Sequence, residues 1–140
     1  ITKKNNYPNT IKGGFMFNKE LFEIAKNVSK KAYAPYSNYK VGAAIRTKNG
    51  KIFSGCNVEN SSYGLTNCAE RTAIFKAVSE GEKEIEEILI YSNSGKMPFP
   101  CGACRQVISE FGDEIKITIS SNEKIVESSI KKLLPSKFEL

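Results

Sequence analysis

Two short segments hold the side chains best suited to chemistry, Cys68-Ala69-Glu70-Arg71 and Pro100-Cys101-Gly102-Ala103-Cys104-Arg105. The second is a Cys-x-x-Cys knuckle; the first sets a third thiol two residues ahead of a carboxylate. If both segments open helices, three sulfurs converge between two helix N-termini, where the helix dipole favours anions and lowers thiol pKa values. Thiolates in tetrahedral array suit zinc, one ion per chain. Three protein ligands leave a fourth position to water, whose pKa falls to about 7 in catalytic zinc sites. Glu70, on the same opening turn as Cys68, is placed to exchange protons with that water without being a ligand itself. Three thiolates around Zn²⁺ sum to a net negative charge, and Arg71 with the two helix dipoles is the candidate to offset it.

The chain contains no histidine, which excludes mechanisms that need an imidazole base, nucleophile or ligand. Each feature also has a plainer reading. Cys56 is the remaining cysteine: as a fourth ligand it would close a structural Cys₄ site, although such sites usually pair two short-spaced ligand sets and here there is one. A buried free thiol is its other fate. Two disulfides are a further use of four cysteines, but nothing marks the chain as secreted and its length does not demand staples. Glu70 also fits a first-turn acid favoured by the helix dipole, and Arg71 and Arg105 fit surface cations.

The elements that must position these groups follow from periodicity. A chain of 140 residues fits one domain. Residues 1–15 are polar and aperiodic and read as an N-terminal extension, with Met16 a possible functional start; residues 16–140 form the domain. Asn18 caps a first helix whose apolar positions Leu21, Ala25, Val28 and Ala32 recur until Pro35. Val41 to Thr47 and Lys51 to Cys56 flank Asn49-Gly50, which predicts a type I′ hairpin. A buried helix spans Asn67 to Val78, a buried strand Glu87 to Ser92, and a third helix runs from the Cys101 knuckle to about Phe111. Ile115, Ile117 and Ile119 alternate as a fourth strand, Ile125-Val126 begins a fifth, and a last helix lies near Ser128 to Leu134. The fold class is therefore α/β, a three-layer α/β/α sandwich around a mixed five-stranded sheet. The connection Ser121 to Glu123 is too short for a parallel crossover, so the last strand pair must be antiparallel.

Composition limits the partners. The net charge is +6, of which Lys3, Lys4 and Lys12 supply half, and no clustered basic stripe marks a nucleic-acid surface. No apolar run is long enough to span a bilayer and no charged-then-apolar leader is present, so the expected compartment is the cytoplasm.

A metal-binding Cys, x-Glu and Pro-Cys-x-x-Cys together form the signature of zinc nucleobase deaminases. Over residues 16–140 the chain resembles the small homotetrameric cytidine deaminases. The likeness includes Ala34-Pro35-Tyr36-Ser37, Val41-Gly42-Ala43-Ala44, Gly55-Cys56-Asn57-Val58-Glu59-Asn60 and Cys68-Ala69-Glu70-Arg71-Thr72, and continues through Pro100 to Gln106. The resemblance implies that Cys68, Cys101 and Cys104 hold zinc and that Glu70 shuttles protons as a free cytidine or deoxycytidine is hydrolysed in pyrimidine salvage. It implies that Asn57 and Glu59 bind the ribose 3′-hydroxyl and that Tyr39, where the family commonly has Phe, packs on the pyrimidine, its hydroxyl needing a partner. Tyr63 is expected at the same substrate site, with an ordinary core or rim aromatic as its plainer reading. Leu133-Leu134-Pro135-Ser136-Lys137-Phe138 resembles the family's C-terminal Leu-Leu-Pro-x-x-Phe, which implies a homotetramer with Phe138 covering a neighbour's site. Without the resemblance, Asn57, Glu59 and the tyrosines read equally as loop and rim residues. A blasticidin-type or polynucleotide-editing member of the same fold is the alternative; the short connection after the fourth strand opposes the latter, whose members place a helix there.

Overall fold

The computed structural model describes residues 17–140; the expected extension over residues 1–15 and the start at Met16 lie outside them. Helix α1 (Lys19–Ser29) begins at Asn18, whose side chain accepts from the Leu21 backbone N–H at 3.0 Å, and ends well before Pro35. Strands β1 (Val41–Thr47) and β2 (Ile52–Cys56) form the opening hairpin. Next come α2 (Ala69–Ser79), β3 (Ile85–Ser92), α3 (Gly102–Glu110), β4 (Lys116–Ser120), β5 (Ile125–Ser128) and the single turn α4 (Ile130–Leu133).

The hairpin corrects one expectation. Type I′ geometry needs positive φ at both central residues, but here Gly50 has φ +87° while Asn49 stays at negative φ. The Gly50 N–H bonds the Thr47 carbonyl and the Thr47 N–H bonds the Lys51 carbonyl, so the loop has three residues with glycine in the left-handed position.

The sheet order is β2-β1-β3-β4-β5. β1 is antiparallel to β2 and β3, β3 and β4 are parallel, and β5 returns antiparallel to β4 as its short connection requires. Alternate residues of each strand face opposite layers. Ala44, Leu89 and Tyr91 pack on Leu21, Phe22 and Ala25 of α1. Ala43, Ile45, Ile88, Ile90, Ile117 and Ile119 face the other way, in one core with Ala73 and Ile74 of α2 and Ile108 of α3.

Two glycines set the closeness of these layers. A Cβ on Gly42 would lie 1.9 Å from the Ala25 carbonyl oxygen of α1, and one on Gly55 would lie 2.6 Å from the Ala73 nitrogen of α2. Both obstacles are backbone, so relief requires moving a helix. Gly42→Ala is expected to cost about 3 kcal/mol, at the upper end of overpacking substitutions, read as a fall in the urea midpoint with an unchanged slope.

The topology explains where a site can form. β2 and β3 flank β1 and run in the same direction, so α2 after β2 and α3 after β3 both begin beyond the carboxyl edge of the sheet. In open α/β sheets that edge is where ligands bind.

Candidate metal centre and active site

Cys68 is the N-cap of α2 and Cys101 the N-cap of α3, both in extended backbone conformation that turns the chain into the helix. Cys104 follows one turn into α3 and is fully buried. Their sulfurs lie within 4.8 Å of one another, with Cys68 Sγ and Cys101 Sγ 3.7 Å apart. Zinc–sulfur bonds of about 2.3 Å in a tetrahedron require sulfurs about 3.8 Å apart, so the donor set fits zinc by chemistry and by spacing. Cys56, a free cysteine at the end of β2, stands outside this cluster.

The electrostatics favour a thiolate. A hydrogen bond from Cys104 and then Arg71 draw the Cys68 thiol down to about 5 against the opposing effect of burial. Cys104, the partner in that bond, is pushed up, so the first negative charge settles on Cys68. Arg71 Nη2 donates to Cys68 Sγ at 3.3 Å, and that contact raises the guanidinium pKa still further.

Glu70 is 4% exposed. Desolvation is the main cause that lifts its carboxyl to about 7, with the negative charge on Cys68 adding to it. A buried carboxyl on the turn that carries a metal ligand, with a pKa near neutrality, has the properties of a general acid–base.

Two isolated β-bridges tie the loop after β2, one to Asn67 just ahead of Cys68 and one to Tyr33 in the segment after α1. Val58 and Asn67 exchange backbone hydrogen bonds at 2.9 Å each, and the Glu59 N–H bonds the Tyr33 carbonyl at 2.8 Å. Asn57 is buried, and its side chain is a clasp: Oδ1 accepts from the Val41 N–H at 2.9 Å and Nδ2 donates to the Tyr39 carbonyl at 2.7 Å. Tyr39 packs at the edge of the core and its hydroxyl finds a partner, donating to the Lys96 carbonyl at 3.1 Å. Burial raises its phenol pKa, and the charge of Glu70 adds a smaller rise. Glu59 accepts from the backbone N–H groups of Tyr36 and Ser37 and from the Ser37 hydroxyl. Tyr63 is exposed in a short 3₁₀ turn, edge-on to Tyr36 with ring centroids 6.0 Å apart. Tyr36, Ser37, Glu59, Tyr63 and Thr66 line a cleft of about 390 Å³.

Phe138 stands apart from the cysteines. Its ring is exposed, its carbonyl accepts from Gln106 Nε2 at 3.4 Å, and none of the zinc ligands lines the cavity it borders. Arg105, which admitted a surface reading, is a tie: Nε donates to the Pro100 carbonyl at 2.8 Å and Nη1 to the Leu133 carbonyl at 2.7 Å. Sequence spacing gave no signal for that role, because the second carbonyl lies in a distant segment.

Comparison with known proteins agrees with this geometry. Residues 16–120 match the family described as the cytidine and deoxycytidylate deaminase zinc-binding region. The chain is 50% identical over 117 residues to a probable cytidine deaminase of Dictyostelium discoideum, covering 83% of this chain and 80% of the relative. It is 45% identical to the cytidine deaminase of Sporosarcina psychrophila, covering 85% and 89%. The crystal structure of cytidine deaminase from Burkholderia pseudomallei superposes with a TM-score of 0.82 at 46% identity, covering 88% of this chain and 100% of that one. A centre of three cysteine sulfurs beside a buried glutamate, on a fold shared at this level of identity, establishes that the chain belongs to the zinc-dependent cytidine deaminase family.

Proposed function

We propose that this chain hydrolyses the 4-amino group of cytidine and deoxycytidine, releasing ammonia and leaving uridine or deoxyuridine. The reading is carried by the convergence of Cys68, Cys101 and Cys104 around the turn that holds the buried Glu70. Bound zinc supplies a Lewis acid that makes water a nucleophile at neutral pH. Glu70 takes one proton of the water that adds to C4 and hands it to ring N3; the same carboxylate then takes the remaining proton from the C4 hydroxyl of the adduct and delivers it to the amino group, so that the C4–N bond breaks, ammonia leaves and the C4 oxygen becomes the carbonyl of the product. A group with a pKa near 7 can both accept and donate at neutral pH, which two successive transfers require. Arg71 keeps Cys68 a thiolate and offsets the negative charge of the centre.

The nucleoside lies along the cleft beside Glu59. Tyr39 presents its ring to the pyrimidine, and Tyr63 borders the opening. Glu59 accepts the ribose 3′-hydroxyl, assisted by the Nδ2 hydrogen of Asn57 that the Tyr39 carbonyl does not use. Loss of absorbance with cytidine and deoxycytidine, but not with adenosine, blasticidin S or a cytosine-containing oligonucleotide, is the expected result. Turnover of blasticidin S or the oligonucleotide alone would replace this reading. Among the described residues no helix is long and apolar enough to cross a membrane, and a role in cytoplasmic pyrimidine salvage is the setting that free nucleosides suggest.

Assembly belongs to the same proposal. The Phe138 ring is left 71% exposed within its own chain, whereas a small nucleoside needs an enclosed pocket. Phe138 is assigned to a neighbour's site in a closed homotetramer with dihedral symmetry. Mixing an inactive Glu70→Ala chain with a weakened Phe138→Ala chain under subunit exchange is expected to restore activity, because some sites then pair an intact Glu70 with a neighbour's intact Phe138. A fully active monomer in sedimentation would end the assignment.

A further inference from the structure

Resting on the deamination reading, we propose that Ser37 is a positioning residue that leaves Glu59 one free acceptor, aimed at a single ribose hydroxyl. An ionised carboxylate offers about four lone-pair sites. Glu59 Oε1 accepts from the Tyr36 N–H at 3.0 Å and the Ser37 N–H at 3.1 Å, which uses that oxygen fully. Oε2 accepts from the Ser37 hydroxyl at 2.5 Å, a charge-assisted bond, and keeps one site.

The direction of the hydroxyl is itself fixed. Ser37 Oγ accepts from the Tyr39 N–H at 3.0 Å, a side-chain turn that spends a lone pair and leaves the single proton for Glu59. The turn is made by Asn38, which has φ +54°, a left-handed conformation that asparagine tolerates better than most residues. The Tyr39 backbone and the Glu59 carboxylate, assigned above to the base and the sugar, are thus held by the two sides of one hydroxyl. The same hydrogen bond is the main cause that holds the Glu59 carboxyl below the usual carboxylate range, so Glu59 stays an acceptor. Thr66, Tyr36 and Tyr63 complete the cleft around it.

Removing the hydroxyl frees the Oε2 oxygen to turn and to hydrate, which should weaken a ligand only if that ligand uses Glu59. The test compares zinc-loaded parent, Ser37→Ala and Ser37→Thr for KM and kcat with cytidine, and for binding of uridine and 3′-deoxyuridine by calorimetry. Ser37→Ala is expected to raise the cytidine KM and the uridine Kd by about ten- to a hundredfold, with kcat within about threefold of parent. Binding of 3′-deoxyuridine should change by less than about twofold, and Ser37→Thr should restore uridine binding. Equal losses for both ligands, at unchanged zinc content and Tm, would show that Ser37 merely supports the loop and would overturn the proposal, as would undiminished uridine binding by Ser37→Ala. A parent that neither deaminates cytidine nor binds uridine overturns the deamination reading and this proposal together, whereas an active parent with equal losses overturns this one alone.

Discussion

Glu70→Gln in the zinc-loaded protein is expected to lower kcat for cytidine by at least about 10²–10⁴-fold while one zinc per chain remains bound. That range is what a single general acid–base transfer ordinarily contributes, and Glu70 serves in more than one proton transfer, so losses multiply. Glutamine keeps the volume and a hydrogen-bonding carbonyl in a site that is 4% exposed, which separates chemistry from packing. Near-normal kcat in a zinc-replete variant would remove Glu70 from the mechanism.

The same substitution should act on stability in the opposite direction. In metal-stripped protein the folded chain holds the Glu70 proton up to about pH 7, whereas the unfolded chain loses it near the ordinary value of 4.5. Between those pH values the folded state binds more protons, so stability contributed by the neutral carboxyl is full below about pH 4.5 and is lost as pH rises through 7. The loss amounts to about 3 kcal/mol. Metal-free Glu70→Gln should therefore be more stable than parent at pH 8, and the gap should close towards pH 4 in paired denaturation curves.

The second large effect follows removal of a ligand. Cys104→Ala deletes a fully buried sulfur and leaves two at the helix N-termini, too few to hold zinc against water. Activity should fall to background, and metal analysis should show less than one zinc per chain. Because zinc binds the folded site, its loss also withdraws stability, about 4 kcal/mol where free zinc stands a thousandfold above its Kd. A chelator should lower the Tm of the parent, added zinc should restore it, and Cys104→Ala should respond to neither. Cys56→Ser is the control: it should retain one zinc and full turnover, since Cys56 lies outside the sulfur cluster. Loss of zinc from Cys56→Ser would instead support a closed four-cysteine site.

Much of this architecture was legible because the signals are local. Asn18 as a cap, the alternating isoleucines of β4 and the short turn before β5 each state a requirement that a few neighbouring residues satisfy by themselves. The members of the sulfur cluster were legible for the same reason. Cys101 and Cys104 sit three apart on one helical turn, and Cys68 precedes Glu70 on another. The errors were local too: Asn49-Gly50 suits a type I′ turn, but the Thr47 to Lys51 bonding chose a longer loop in which glycine alone takes positive φ. The first helix stopped at Ser29 although apolar spacing ran on towards Pro35, because Ala32 and Ala34 are buried in the irregular segment beyond it.

By itself the sequence determined which residues have the chemistry and which element carries each, since caps, periods and ligand spacings act over a few residues. Only the tertiary structure decided what those side chains face. That Arg71 touches Cys68 was within reach of helical spacing, but nothing local tells that Asn57 bonds Val41 and Tyr39 or that Arg105 clamps Pro100 to Leu133. Nor does it tell that the Ser37 hydroxyl donates to Glu59 across a separation of 22 residues. Periodicity reports the face an element buries. The partner on the other side of that face is set by strand order and by the close approach that Gly42 and Gly55 permit, which are properties of the packed chain.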